Sequence, residues 1–182
     1  VEGSILVAYG TWAGSTAEVA EAVAKGLRRA GGKVDVRPAG EIDELEGYGA
    51  VVLGTGVRAG RVHGDVKRFL RKHRARLAEL PFACFVVCLT MKEDTGENRA
   101  TAAGFIARAL REFPKLSPVG TGLFGGVMPS GDGLARLSFA PRLLARMMKS
   151  QAGDFRNWAA IEEWVEATGP LLSGNASRGQ EQ

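Results

Sequence analysis

The stretch Ser4-Ile-Leu-Val-Ala-Tyr9-Gly10-Thr11-Trp12-Ala13-Gly14-Ser15-Thr16 decides the fold. Its first half, Ser4 to Tyr9, is a short apolar run bounded by glycines, the pattern of a buried strand. Just past the loop, Ala17 to Ala30 carries Val19, Ala20, Val23, Ala24 and Leu27 as one helical stripe, and Gly31-Gly32 stops it. A buried strand that turns through a few residues into an amphipathic helix is the opening unit of an α/β fold.

The same alternation continues outward. Lys33 to Pro38 sets Val34 and Val36 between charged neighbours, as a half-exposed strand would, and Ala50 to Gly54 is a third short apolar run followed by a glycine-rich loop through Gly64. Asp65 to Leu80 reads as a helix with Val66, Phe69, Leu70, His73 and Leu77 on one side, broken by Pro81. Phe82 to Leu89 is the most apolar segment and the best central strand; Asn98 to Phe113 follows as a helix and Val119 to Phe124 as the fifth strand. A final helix near Trp158 to Thr168 is expected to bury Trp158, Ile161 and Val165. These elements predict a doubly wound five-stranded parallel sheet in a three-layer α/β sandwich with right-handed crossovers. One domain over residues 1–170 is expected, with an insertion at about 127–153. A disordered tail is expected over 171–182, clearest from Gly174 to Gln182.

The 182 residues are 45% apolar and 24% charged, enough for one well-buried core. Cys84 and Cys88 lie four apart in an extended apolar run, on one face but too distant to bridge, and read as buried free thiols of a reducing compartment. With only His63 and His73 besides, no metal-ligand set is expected. No run approaches the ~20 apolar residues of a membrane span and none reads as a signal peptide, so a cytoplasmic protein is expected. The net charge of +4 is uneven: from Arg58 to Arg76 eight Lys and Arg face the single acid Asp65. The insertion adds Arg136, Arg142, Arg146 and Lys149 among Leu134, Leu137, Phe139, Leu143, Leu144, Met147 and Met148. Such patches attract anions, acidic proteins, lipid headgroups or nucleic acid, or are simply solvated faces.

The loop Thr11-x-x-Gly14-x-Thr16, between strand one and helix one, aims backbone N–H groups from the positive end of a helix, with Thr11, Ser15 and Thr16 adding hydroxyls. That is a ready anion site; its alternative is a turn and helix cap without a ligand. The G-K-[ST] ending of a triphosphate loop is absent. Gly120-Thr-Gly122-Leu-Phe-Gly125 satisfies G-x-G-x-x-G, but Pro129 and further glycines follow it where that fingerprint needs a helix.

The loop resembles the phosphate loop of the flavodoxin family, matched at Thr11, Gly14 and Thr16, and the order of elements fits that family from about Ser4 to Thr168. The resemblance implies FMN, with its phosphate on Thr11, Trp12, Ala13, Gly14, Ser15 and Thr16. It places the ring between the loops Thr55-Gly56-Val57-Arg58-Ala59-Gly60 and Leu89-Thr90-Met91. Neither ring loop supplies the aromatic that the family usually stacks on the flavin, so Trp12 is the nearest candidate, otherwise Met91 or the Arg58 stem. Within the superfamily the chain is most similar to the menaquinone-dependent protoporphyrinogen oxidase family. Gly54-x-x-Val57-Arg58-x-Gly60-x-x-His63, Phe69-Leu-Arg-Lys-His73, and the insertion ending in Met147-Met-Lys149 before Gly153-Asp-Phe-Arg-Asn-Trp158 carry that likeness.

That second resemblance implies hydride and proton removal from protoporphyrinogen IX with a quinone as acceptor. Arg58, Arg61, Arg136 and Arg142 would meet the propionates, and the basic insertion would touch the inner face of the cell membrane. Nucleic acid is not expected as a partner. An electron-transfer flavodoxin is the alternative, although such carriers tend to be acidic and this chain has a pI near 9.3. A nicotinamide-dependent reductase of related fold ranks third, since no nucleotide motif stands out.

Overall fold

A computed structural model describes residues 3–128 and 152–173. Five parallel strands form its centre in the order β2-β1-β3-β5-β6: β1 (Ser4–Gly10), β2 (Val34–Pro38), β3 (Tyr48–Arg58), β5 (Phe82–Cys88) and β6 (Thr121–Gly125). The short β4 (Arg61–Val62) turns back antiparallel on the end of β3. Helices α1 (Ser15–Arg29) and α4 (Trp158–Leu172) cover one face, with α2 (Gly64–Leu77) and α3 (Gly96–Leu110) on the other. The chain order reverses between β1 and β3, so the loops beyond their carboxyl ends diverge and leave a crevice there.

The stripes expected from periodicity form the two halves of the core. Val19, Ala20, Val23, Ala24 and Leu27 of α1 pack on Ile5, Val7 and Val52, while Val66, Phe69, Leu70 and Leu77 of α2 join Leu6, Val51 and Leu53 on the opposite face. His73 belongs to the α2 stripe as a packed ring, 4.7 Å from the Phe69 ring, and burial lowers its pKa. Cys84 and Cys88 are both buried and free, and burial pushes both thiols upward.

Four expectations need correction. The third strand does not end at Gly54: β3 continues to Arg58, because β1 and β5 flank it through Thr55 and Gly56, pairing with Gly10 and Val87, and β4 pairs with Val57 and Arg58. Gly56, which read as loop, is a strand position, and the turn comes only at Ala59 (φ 49°) and Gly60 (φ 71°). These two left-handed residues are what a two-residue hairpin requires, and they pair Arg58 with Arg61. Trp158 is exposed rather than buried, and the Arg156 guanidinium stacks on it at 4.6 Å. The last helix passes through Gly169-Pro170 to Leu172, so residues 171 and 172 are helical rather than tail; the buried Leu172 holds that turn down. Helices α2 and α3 end three residues earlier than their apolar patterns imply, at Leu77 and Leu110.

The G-x-G-x-x-G glycines are packing positions at the start of β6 and along it. A Cβ at Gly122 would meet the Phe124 ring at 2.7 Å and Phe85 Cβ at 3.1 Å, and one at Gly120 would meet Thr168 Oγ1 at 2.9 Å. Beyond β6, β7 (Val127–Met128) pairs antiparallel with β8 (Gly153–Asp154) and closes the stem of the insertion. The insertion's basic and apolar residues, Leu134 to Lys149, lie outside the described residues, as does Gly174–Gln182.

Arg156 fastens this stem to α1. Its side chain is 9% exposed and pairs with Asp154 at 2.6 Å and with Glu18 of α1 at 2.7 Å. The hydrogen bond from Arg156 holds the Asp154 carboxyl below its ordinary pKa. Because the folded pKa lies below the unfolded one, this contribution is complete above about pH 4 and is lost as pH falls through the folded value. Asp154 is half exposed, so most of the stabilisation comes from the packed guanidinium. Arg156→Gln is expected to lower Tm by about 3–6 °C at pH 7, with a smaller gap below about pH 4, in paired thermal melts. A gap that widens with acid would contradict the assignment.

Candidate functional site

The loop from Thr11 to Gly14 is built to leave the start of α1 open. Gly14 is its N-cap at φ 91°, and its N–H donates to Thr11 Oγ1 at 2.9 Å. No side chain caps this helix, whereas His63, Thr95 and Asn157 side chains cap α2, α3 and α4. The Ala17 and Glu18 amides donate to Gly14 O, so the Ser15 and Thr16 amides, with the hydroxyls of Ser15 and Thr16, offer donors at the positive end of the dipole. Nothing lies within 4 Å of a Cβ placed on Gly14, so backbone geometry and not crowding requires glycine there.

A cleft of about 200 Å³ opens beside this loop. Thr11, Trp12, Ala13, Ser15 and Thr16 form one side, the β3 end (Gly56, Val57, Arg58) another, and Val87, Cys88 and Leu89 with Gly126, Val127 and Met128 the rest. Gly56 is a space-maker: its Cβ would stand 3.0 Å from Thr16 Oγ1 and 3.5 Å from the Trp12 ring. Trp12 is exposed and leans on His63, ring centroids 4.6 Å apart. His63 in turn is fixed by its Nδ1, which accepts from Asp65 N–H at 3.3 Å, and by its own N–H, which donates to Thr55 Oγ1 at 3.1 Å.

Nine of the expected site residues thus line the cleft: Thr11, Trp12, Ala13, Ser15, Thr16, Gly56, Val57, Arg58 and Leu89. Gly14 shapes the loop without forming a wall. Thr55 is buried behind the cleft, its hydroxyl donating to Gly56 O at 2.8 Å. Ala59 and Gly60 form the hairpin turn, and Gly60 faces Phe105 instead. Thr90 and Met91 belong to a 3₁₀ turn (Leu89–Lys92) in which Met91 is buried in the core, which removes Met91 as cover for a ring in the cleft. Missed by sequence reading were Val87, Cys88 and Gly126–Met128. An apolar strand end carries no local mark of a site; only the strand order puts those carboxyl ends at the crevice.

Among the described lining residues, Arg58 and Cys88 are the ionisable ones, with no Asp, Glu or His. The site can therefore bind an anion, enclose an apolar ring and attract negative charge, but it presents no general acid–base pair. Among the described residues no three His, Cys, Asp or Glu gather into a metal site, and no helix is long and apolar enough to cross a membrane.

Comparison with known proteins agrees with this geometry. A family model described as "Flavodoxin domain" matches residues 6–157. Protoporphyrinogen IX dehydrogenase [quinone] of Escherichia coli K12 is 26% identical over 166 residues, 88% of each chain. An NAD(P)H dehydrogenase (quinone) of Methylocella silvestris is 33% identical over 88 residues, 36% of this chain and 44% of that one. Among solved structures, a variant flavodoxin from Pseudomonas aeruginosa shares the fold at TM-score 0.58 and 16% identity, covering 94% of this chain and 99% of its own. Flavodoxin 2 from Bacillus cereus does so at 0.54 and 17%, covering 88% and 99%. The chain belongs to the flavodoxin-domain family, and FMN is its cofactor. The residues present fit that group: an uncapped helix start for a phosphate, and beside it a cleft that a side chain on Gly56 would fill.

Proposed function

We propose that this chain is an FMN-dependent dehydrogenase that oxidises protoporphyrinogen IX and delivers the electrons to a quinone. FMN supplies the hydride-accepting ring when bound. The Thr11–Thr16 loop would hold the phosphate through the Ser15 and Thr16 amides and hydroxyls, and Gly56, Val57, Arg58, Val87 and Leu89 would hold the ring end. Trp12, braced by His63, would cover the ring, and Val57, Val87 and Met128 would keep water from it.

The observation that carries the reading is the cross-strand pair Arg58 and Arg61 on the β3–β4 hairpin, where Arg58 lines the apolar cleft. Two cations at the edge of a flavin cleft suit a substrate with carboxylate arms, whereas a carrier that docks on basic partners would present acids. The likeness to the Escherichia coli dehydrogenase over 88% of the chain supports the same substrate. FMN-loaded protein, assayed anaerobically with protoporphyrinogen IX and menaquinone, is expected to turn over. No turnover, together with rapid electron exchange with ferredoxin-type proteins, would replace this reading with that of a carrier.

A further inference from the structure

Behind the β3–β4 hairpin lies a second concavity, a groove of about 480 Å³ between β4, α2 and α3. Val62, Phe105 and Ala109 contribute apolar surface to it, and Arg61, Lys67 and Arg108 bring three cations from three different elements. Most of the basic stretch through α2 is spoken for: Arg68 pairs with Asp65, Arg71 with Glu112, Lys72 with Asp43 and Arg76 with Glu79. Among the described residues Arg61, Lys67 and Arg108 make no ion pair, and the groove's own acid, Glu112, lies 3.6 Å from Arg71. Three cations without an ion pair thus gather around this one groove.

We propose that this groove binds the carboxylate arms of the tetrapyrrole substrate, a role that rests on the function proposed above. The groove and the flavin cleft share one wall. Arg58 lines the cleft, its cross-strand partner Arg61 lines the groove, and opposite residues of an antiparallel pair stand only about 5 Å apart. A molecule with an apolar body and carboxylates on one edge can lie over the hairpin, its reactive ring atoms toward the cleft and its charges toward Arg61, Lys67 and Arg108. A concave groove with an apolar floor suits such a single molecule better than a flat lipid surface does.

The test uses the FMN-loaded full chain and follows binding of protoporphyrin IX and of its dimethyl ester by fluorescence. Wild type is expected to bind the diacid and to bind the ester far less well. Lys67→Gln/Arg108→Gln is expected to raise the diacid Kd about tenfold, with the ester and FMN affinities unmoved, and to raise the porphyrinogen KM similarly. Since both side chains are exposed, an unchanged thermal melt will show that the variant is folded. Equal binding of diacid and ester, or a variant with wild-type diacid affinity, overturns the groove as the carboxylate site. Turnover in wild type with an unchanged KM in the variant would do so while leaving the dehydrogenase reading intact. Acid-selective binding that the variant loses, in a protein without turnover, would keep the groove and remove the dehydrogenase.

Discussion

Gly14→Val is expected to abolish FMN uptake while leaving the fold almost untouched. Gly14 sits at φ 91°, where a β-branched residue is strained by about 1–2 kcal/mol or more, and nothing nearby would collide with the new side chain. The chain relieves that strain by rotating out of the left-handed conformation. The Thr11 hydroxyl then loses the Gly14 N–H, and the first-turn amides of α1 no longer converge on one point. Each charge-assisted hydrogen bond to the phosphate is worth about 1.5–3 kcal/mol, so losing two weakens binding at least about 100-fold. Titration of apoprotein with FMN, read by flavin fluorescence, measures this directly. Tm without FMN should move by only a few degrees, since Gly14 belongs to neither half of the core. Wild-type affinity in Gly14→Val would mean that the loop is only a turn and that the phosphate sits elsewhere.

What could be read from the sequence follows from which forces act locally. The stripes of α1 and α2 were legible because one helical face is either buried or not, and periodicity records it. The Thr11–Thr16 loop was legible because an uncapped helix start behind a glycine is a local arrangement. By contrast β3 read four residues short, since Gly54 and Gly56 have poor strand propensity and are held extended by β1 and β5, whose paired residues the sequence places 45 before and 31 after. Trp158 read as core because an aromatic at helical spacing usually is, yet its partner is Arg156 two residues away. Val87, Cys88 and Gly126–Met128 were illegible as site residues: they are ordinary apolar and glycine positions until the order β2-β1-β3-β5-β6 sets their ends around the cleft.

The glycines of the central strands lead to the second large effect, expected at Gly54→Val. Gly54, Phe85 and Gly122 stand side by side on β3, β5 and β6, so one large ring lies between two positions without side chains. A Cβ on Gly54 would fall inside the Phe85 ring, which is fully buried and packs toward Phe124 and Trp164 at 6.1 and 6.2 Å. The ring cannot retreat toward Gly122, because the Phe124 ring already stands 2.7 Å from where that residue's Cβ would be. Gly54→Val should therefore cost about 3 kcal/mol, and Phe85→Ala about 3–5 kcal/mol through the cavity it leaves. At about 2–4 °C per kcal/mol, Gly54→Val lowers Tm by roughly 6–12 °C and Phe85→Ala by roughly 6–20 °C. If the two positions share one volume, Gly54→Val/Phe85→Ala should be less damaged than the sum of the single changes by more than about 1 kcal/mol, the valine filling part of the space that the ring vacates. Strict additivity would show that the row is not a shared packing unit. Because β3 and β5 both end at the cleft, FMN at 100 times its Kd should restore about 2.7 kcal/mol to each variant that still binds it. Melts with and without FMN therefore separate damage to the core from damage to the site: a core variant regains stability with the cofactor, and Gly14→Val does not.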